Sequence, residues 1–136
     1  MGAKPVELIL LRQFVQRLSL PAGLVDAQGN VVYFNPPTER LLGYEYAVLG
    51  EFPMERLQDL IDPRYPDGSP MDVDDLPLAV TLRDRRPQQA NMIVHGADGT
   101  AHPIVTTSIP IDGQGDMLLG AMAVFWEDDG EGGGGR

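Results

Sequence analysis

The sequence predicts an α+β fold, an antiparallel sheet of five strands with helices packed on it. Three observations carry the prediction. Apolar positions change from helical spacing to short β-rich runs, in the order helix, two strands, several short helices, three strands. Glycine- and aspartate-rich turns separate neighbouring strand runs closely enough to make hairpins. With 136 residues and 43% apolar content, the chain has room for one domain with its own core.

Residues 5–18 carry the first helical pattern. Pro5 suits a first turn, Glu7 the positive end, and Arg12 and Arg17 the later turns. At about 100° per residue, Leu8, Leu10, Leu11, Phe14, Val15 and Leu18 fill a stripe roughly 160° wide, broader than a surface helix needs. Such a helix either touches two surfaces, its own domain and a partner, or lies deep in one. Leu20-Pro21 ends it. Residues 23–26 and 31–34 then read as two strands around the turn Ala27-Gln28-Gly29-Asn30.

Asn35 is placed to cap a short helix that starts at Pro36 and stops at Gly43. Residues 44–49 predict a further turn closed by Gly50, and residues 54–61 have helical spacing at Leu57, Leu60 and Ile61. Residues 62–73, with three prolines and a glycine, must be loop. Asp74 or Asp75 is expected to cap the next helix, which has Pro77 in its first turn and ends near residues 83–86. Three strands follow, at 89–95, 100–111 and 117–126, with turns at 96–99 and 112–115. The expected division is a first helix at 1–19, a domain at 20–127 and a disordered acidic, glycine-rich tail at 128–136.

Composition narrows the function. No cysteine is present, which removes disulfides, thiolate metal sites, a nucleophilic thiol and a thioether-linked chromophore together. The net charge is −10, and about −6 without Glu127, Asp128, Asp129 and Glu131. An acidic chain with no Lys/Arg patch argues against nucleic acid and anionic membranes. The apolar run at 8–11 is too short for a signal peptide and is followed at once by Arg12. No run approaches the roughly 20 residues that span a bilayer. The expectation is a soluble cytoplasmic protein.

The element order, and the residues on it, resemble the PAS family over about residues 20–127. The most specific stretch is Asn35-Pro36-Pro37-Thr38-Glu39-Arg40-Leu41-Leu42-Gly43-Tyr44 followed by Leu49-Gly50, similar to the family's Asn-Pro, apolar pair, Gly-Tyr and later Leu-Gly. Residues 25–33 match its opening hairpin, and Pro66-Asp67-Gly68 through Asp75-Leu76-Pro77-Leu78 resembles a version common in bacterial signalling proteins. Asp98-Gly99, Ser108-Ile109-Pro110-Ile111 and residues 120–125 match the last three strands. The resemblance implies a five-stranded antiparallel sheet with short helices on one face and the N-terminal helix on the other. It implies a sensory and signalling module that is not an enzyme. In place of the family's usual Asp-Ile-Thr linker stands Glu127-Asp128-Asp129. Either the chain acts on a signalling partner in trans or it is an excerpt of a longer one.

Strand alternation sorts the residues into two faces, and the resemblance says which face meets the helices. The helix-facing set would be Val25, Val31, Tyr33, Met92, Val94, Ile104, Thr106, Ser108, Leu119, Ala121, Ala123 and Phe125. Small side chains and hydroxyls among aliphatics are the composition of a site for a small, mainly apolar ligand. The alternative is a solid core whose hydroxyls bond to backbone. Leu24, Val32, Phe34, Ile93, Ile109, Met122, Val124 and Trp126 would point away, too many apolar groups for a wet face. The expected cover is the first helix plus a second subunit. The homodimer interface would comprise Leu8, Leu11, Phe14, Val15, Leu18, Phe34, Met122, Val124 and Trp126. A pure ligand carrier or stand-alone sensor is the competing reading.

Other chemistry has little support. His95 and His102 flank a hairpin, but strand parity separates their faces and no carboxylates complete a metal site. Haem-binding PAS domains use a histidine on the helix that here spans residues 78–83, which has none. Covalent flavin photochemistry needs an Asn-Cys-Arg motif where Glu51-Phe52-Pro53-Met54 stands. A non-covalent small ligand stays open. Asp72, Asp74 and Asp75 lack the glycine and terminal glutamate of a calcium loop.

Overall fold

The structure, a computed structural model, describes residues 5–128. Helix α1 (Val6–Gln16) leads into the hairpin β1 (Ala22–Asp26) and β2 (Asn30–Phe34). Then come α2 (Pro36–Leu42), α3 (Tyr46–Leu49), a two-residue strand β3 (Phe52–Pro53), a 3-10 turn (Met54–Arg56) and α4 (Leu57–Ile61). A second 3-10 turn (Val73–Asp75) precedes α5 (Pro77–Asp84), which is followed by β4 (Gln88–His95), β5 (Ala101–Asp112) and β6 (Leu118–Glu127). The strands form one antiparallel sheet in the order β3-β2-β1-β6-β5-β4. The first and last strands in sequence thus meet at its centre. The sixth strand, unforeseen in the sequence, is a minimal edge element on β2. The expected tail at 128–136 lies outside the described residues except for Asp128, whose N–H still bonds to the Pro103 carbonyl.

Helices α2 to α5 pack on one face of the sheet and α1 crosses the other. Two apolar clusters result. The inner one joins Val25, Val31, Phe34, Met92, Val94, Ile104 and Ala121 to residues of the helical layer. The outer one joins Leu8 and Val15 of α1 to Leu24, Val32, Tyr33, Ile111 and Leu119. At the far edge, Arg64 forms a bridge with Ile93, each donating its N–H to the other's carbonyl, so the loop after α4 covers part of β4's outer border.

Two bulges revise the parity expected from alternation. In the β1–β2 pairing, Leu24 faces Tyr33 and Val25 faces Val31, which leaves Val32 as the extra residue. Beyond an extra residue every side chain changes face. Tyr33 therefore joins Leu24 on the α1 side and Phe34 turns inward, the reverse of the sequence expectation. In the β5–β6 pairing, Ile111 faces Gly120 and Asp112 faces Leu118, so Leu119 is unpaired and packs on the α1 side, not among the helices.

The caps follow the sequence with one exception. Asn35 caps α2 by accepting from the Thr38 N–H at 3.2 Å, and Gly43 closes it with φ 80. Neither Asp74 nor Asp75 caps α5. The 3-10 turn absorbs both acids, Leu76 takes the cap position, and Pro77 at the start of α5 has no N–H to satisfy.

Candidate functional site

A cavity of about 130 Å³ lies between the sheet and the helical layer. The sheet contributes Val25, Val31, Phe34, Met92, Val94, Ile104, Thr106, Ala123 and Phe125. The opposite wall is helical: Leu42 from α2, Leu57, Leu60 and Ile61 from α4, and Leu76, Pro77 and Leu78 around the start of α5. Tyr44, Leu49 and Phe52 close the remaining side. Sequence reasoning missed the helical wall, although the spacing of Leu57, Leu60 and Ile61 marks an apolar helix face. Ala123 is the smallest of the sheet side chains in its lining.

The lining is almost wholly apolar. Its polar groups are accounted for one at a time. Tyr44 donates its hydroxyl to the Leu60 carbonyl at 2.7 Å, and Thr38 donates its own to Asn35 Oδ1 at 2.8 Å. Thr106 is buried, and its side chain carries no such bond among the described residues. Ser108 does not line the cavity. It pairs with Thr81 of α5, hydroxyl to hydroxyl at 2.6 Å, with both residues fully buried. That pair pins α5 to the sheet. Ala121 belongs to the inner cluster but stands beside the cavity, while Tyr33 and Leu119 lie across the sheet. Eight of the twelve expected lining residues therefore meet in the cavity.

A buried polar junction lies at the end of α1. Asn35, with no exposure, accepts at Oδ1 from the N–H groups of Ala22 and Thr38 and donates from Nδ2 to the carbonyls of Val15 and Leu20, at 2.9 to 3.2 Å. One amide thereby joins α1, β1 and α2. Further along α1, the Arg12 guanidinium lies 4.5 Å from the Tyr33 ring centre and 5.4 Å from that of Tyr46, a cation–π arrangement. Tyr46 donates its hydroxyl to the Val32 carbonyl at 2.6 Å. Burial raises the pKa of both tyrosines; Arg12 opposes the rise.

The outer face is only part covered. Leu8 and Val15, expected at an interface between copies, are buried against their own domain, and Phe34 is inside it. Leu11, Leu18, Met122 and Val124 are half-buried around the same cluster. Val6, Ile9, Leu10 and Phe14 are exposed on α1, as are Ile109 and Trp126 on the sheet. The broad stripe seen in the sequence is thus two stripes, one buried and one open to water.

The histidines are partly buried and separate. His95 Nδ1 meets the Asp62 carbonyl at 3.0 Å, and His102 Nδ1 meets Glu127 at 2.9 Å. Among the described residues no three potential ligands gather for a metal, and no helix is long and apolar enough to cross a membrane.

No protein-family model matches the chain, and no curated protein does. Solved structures do. A PAS domain from Colwellia psychrerythraea superposes with TM-score 0.63 at 17% identity, over 90% of this chain and 97% of that one. The PAS domain of the fruit-fly ELK potassium channel gives 0.70 at 15%, over 90% and 98%. The light-state dimer of the fungal blue-light photoreceptor Vivid gives 0.65 at 14%, over 93% and 97%. The chain has the PAS fold.

Proposed function

We propose that this protein is a cytoplasmic sensory and signalling module that binds a small apolar molecule between its sheet and helices and works as a homodimer. The carrying observation is the cavity: about 130 Å³, apolar on all sides, with the Thr106 hydroxyl as its one unengaged polar group. An apolar cavity of about 150 Å³ engineered in another protein takes benzene or xenon. A single aromatic ring or a short alkyl chain is the ligand class of matching size. The size of the cavity and its lack of hydrogen-bonding groups favour such a ligand over a flavin, whose three fused rings are larger and whose pyrimidine edge calls for several polar partners. Haem is larger still.

The dimer reading rests on the open α1 stripe and its exposed neighbours Ile109 and Trp126. One structural neighbour was solved as a dimer. Two copies meeting on this surface would cover large apolar groups that a monomer leaves in water. Transmission to a protein partner in trans would then depend on how the two copies sit.

Thermal denaturation with benzene tests the ligand site. At a hundredfold excess over Kd, the expected gain is about 2.7 kcal/mol. Ala123→Phe, which fills the space, should abolish the gain without lowering the melting temperature of the unliganded protein by more than a few degrees. An unchanged melting temperature in wild type at saturating benzene sinks the reading.

A further inference from the structure

We infer that Asn35 couples the cavity to α1, so that occupancy between sheet and helices sets how firmly the N-terminal helix is held. The inference rests on the cavity being a ligand site. Three observations carry it.

The first is the division of labour within one side chain. The Asn35 oxygen serves β1 and α2, through Ala22 and Thr38, while its nitrogen serves the end of α1, through the Val15 and Leu20 carbonyls. Both amide hydrogens and both oxygen lone pairs are committed, and the side chain has no contact with water. The second is position. Thr38 and Leu42, on the helix that Asn35 caps, line the cavity. The third is how α1 is held elsewhere: by apolar packing at Leu8 and Val15 and by the exposed Arg12 over its two tyrosines. Such contacts tolerate sliding, whereas a buried amide does not, because a broken bond there finds no water to replace it.

A molecule in the cavity presses on Leu42 and fixes where α2 sits. The Asn35 backbone moves with α2, and its amide carries the displacement or the rigidity to Val15 and Leu20. A ligand that immobilises α2 therefore holds α1 more tightly. By linkage, loosening α1 weakens the ligand by the same factor. Asn35 is thus a positioning residue that acts through backbone carbonyls, without touching the ligand.

Hydrogen exchange of the full chain, with and without saturating benzene, reads this out. In wild type, benzene should slow exchange across residues 8–16 by about fivefold or more, the low end of typical coupling between sites. In Asn35→Asp the acceptor survives but both donors are lost. In Asn35→Ser the hydroxyl still caps α2 but is too short to reach α1, which keeps the test open if a buried carboxylate prevents folding. In either variant, benzene should still raise the melting temperature and protect β5, while residues 8–16 exchange fast and indifferently to it. A merely structural role for Asn35 would raise the exchange of α1 yet leave its benzene dependence intact, and that result overturns the inference. So does a wild type that binds benzene with no change in α1. Failure of wild type to bind benzene is a different outcome, recognised by the unchanged melting temperature, and removes the cavity reading and the coupling together.

Discussion

Replacing Asn35 by alanine removes a helix cap and the bonds from its Nδ2 to the Val15 and Leu20 carbonyls, while the Ala22 N–H keeps the Thr38 hydroxyl at 2.9 Å and the Val15 carbonyl keeps the Leu18 N–H at 3.1 Å. A lost cap costs about 1 kcal/mol, and each stranded buried group about 1–3 kcal/mol. Asn35→Ala should therefore destabilise the fold by about 2–4 kcal/mol in urea titration; a cost below about 1 kcal/mol would show the junction to be incidental. The Thr81–Ser108 pair makes a sharper prediction. Ser108→Ala strands the Thr81 hydroxyl and should cost about 1–3 kcal/mol, whereas adding Thr81→Val removes the stranded group and should recover part of that loss. Gly120 is equally constrained. A side chain there would run into the Val25 carbonyl oxygen, so Gly120→Ala should disturb the β1–β6 pairing and lower the melting point sharply.

Among the elements, α1 carries the clearest contrast. Its buried stripe (Leu8, Val15) holds the domain, and its open stripe (Val6, Leu10, Phe14) is free to hold something else. Leu10→Glu with Phe14→Glu should turn a dimer into a monomer in analytical ultracentrifugation while leaving the melting temperature of the dilute protein within a few degrees. Val15→Ala should instead cost about 2 kcal/mol in stability. A double-glutamate variant that sediments as wild type does would refute the assigned interface. The two-sided nature of this helix was visible in its stripe, because helical spacing encodes width. Strand parity was less visible. Val31-Val32-Tyr33-Phe34 is apolar at four successive positions, so alternation there carries no information about which residue a bulge will displace, and Tyr33 and Phe34 exchanged faces. The wide cavity wall from α4 was present as spacing but had no partner surface assigned to it. Ser108 was correctly placed on the inner face, yet which hydroxyl meets Thr81 and which opens to the cavity depends on contacts 27 residues apart in the chain.

For the molecule as a whole, alkaline pH should lower stability. Tyr33 and Tyr46 have pKa values raised chiefly by burial. A raised value means that the folded state favours the neutral phenol. Their contribution is complete below the ordinary tyrosine value near 10 and is lost as pH climbs through the raised folded values. Stability measured from pH 9 upward should fall beyond about pH 10, and Tyr33→Phe with Tyr46→Phe should flatten that fall. An unaltered slope in the double variant would place the alkaline loss elsewhere.

The borders of the sheet have their own consequence. One ends in a two-residue strand that includes Pro53, and the other is occupied at Ile93 by Arg64. Both borders are thus interrupted, which disfavours strand-by-strand accretion into fibres relative to an open edge. The proposed homodimer, formed broadside through the open stripe of α1, would be a self-matching contact that closes on itself at two. Raising the concentration should fill the pair and then stop.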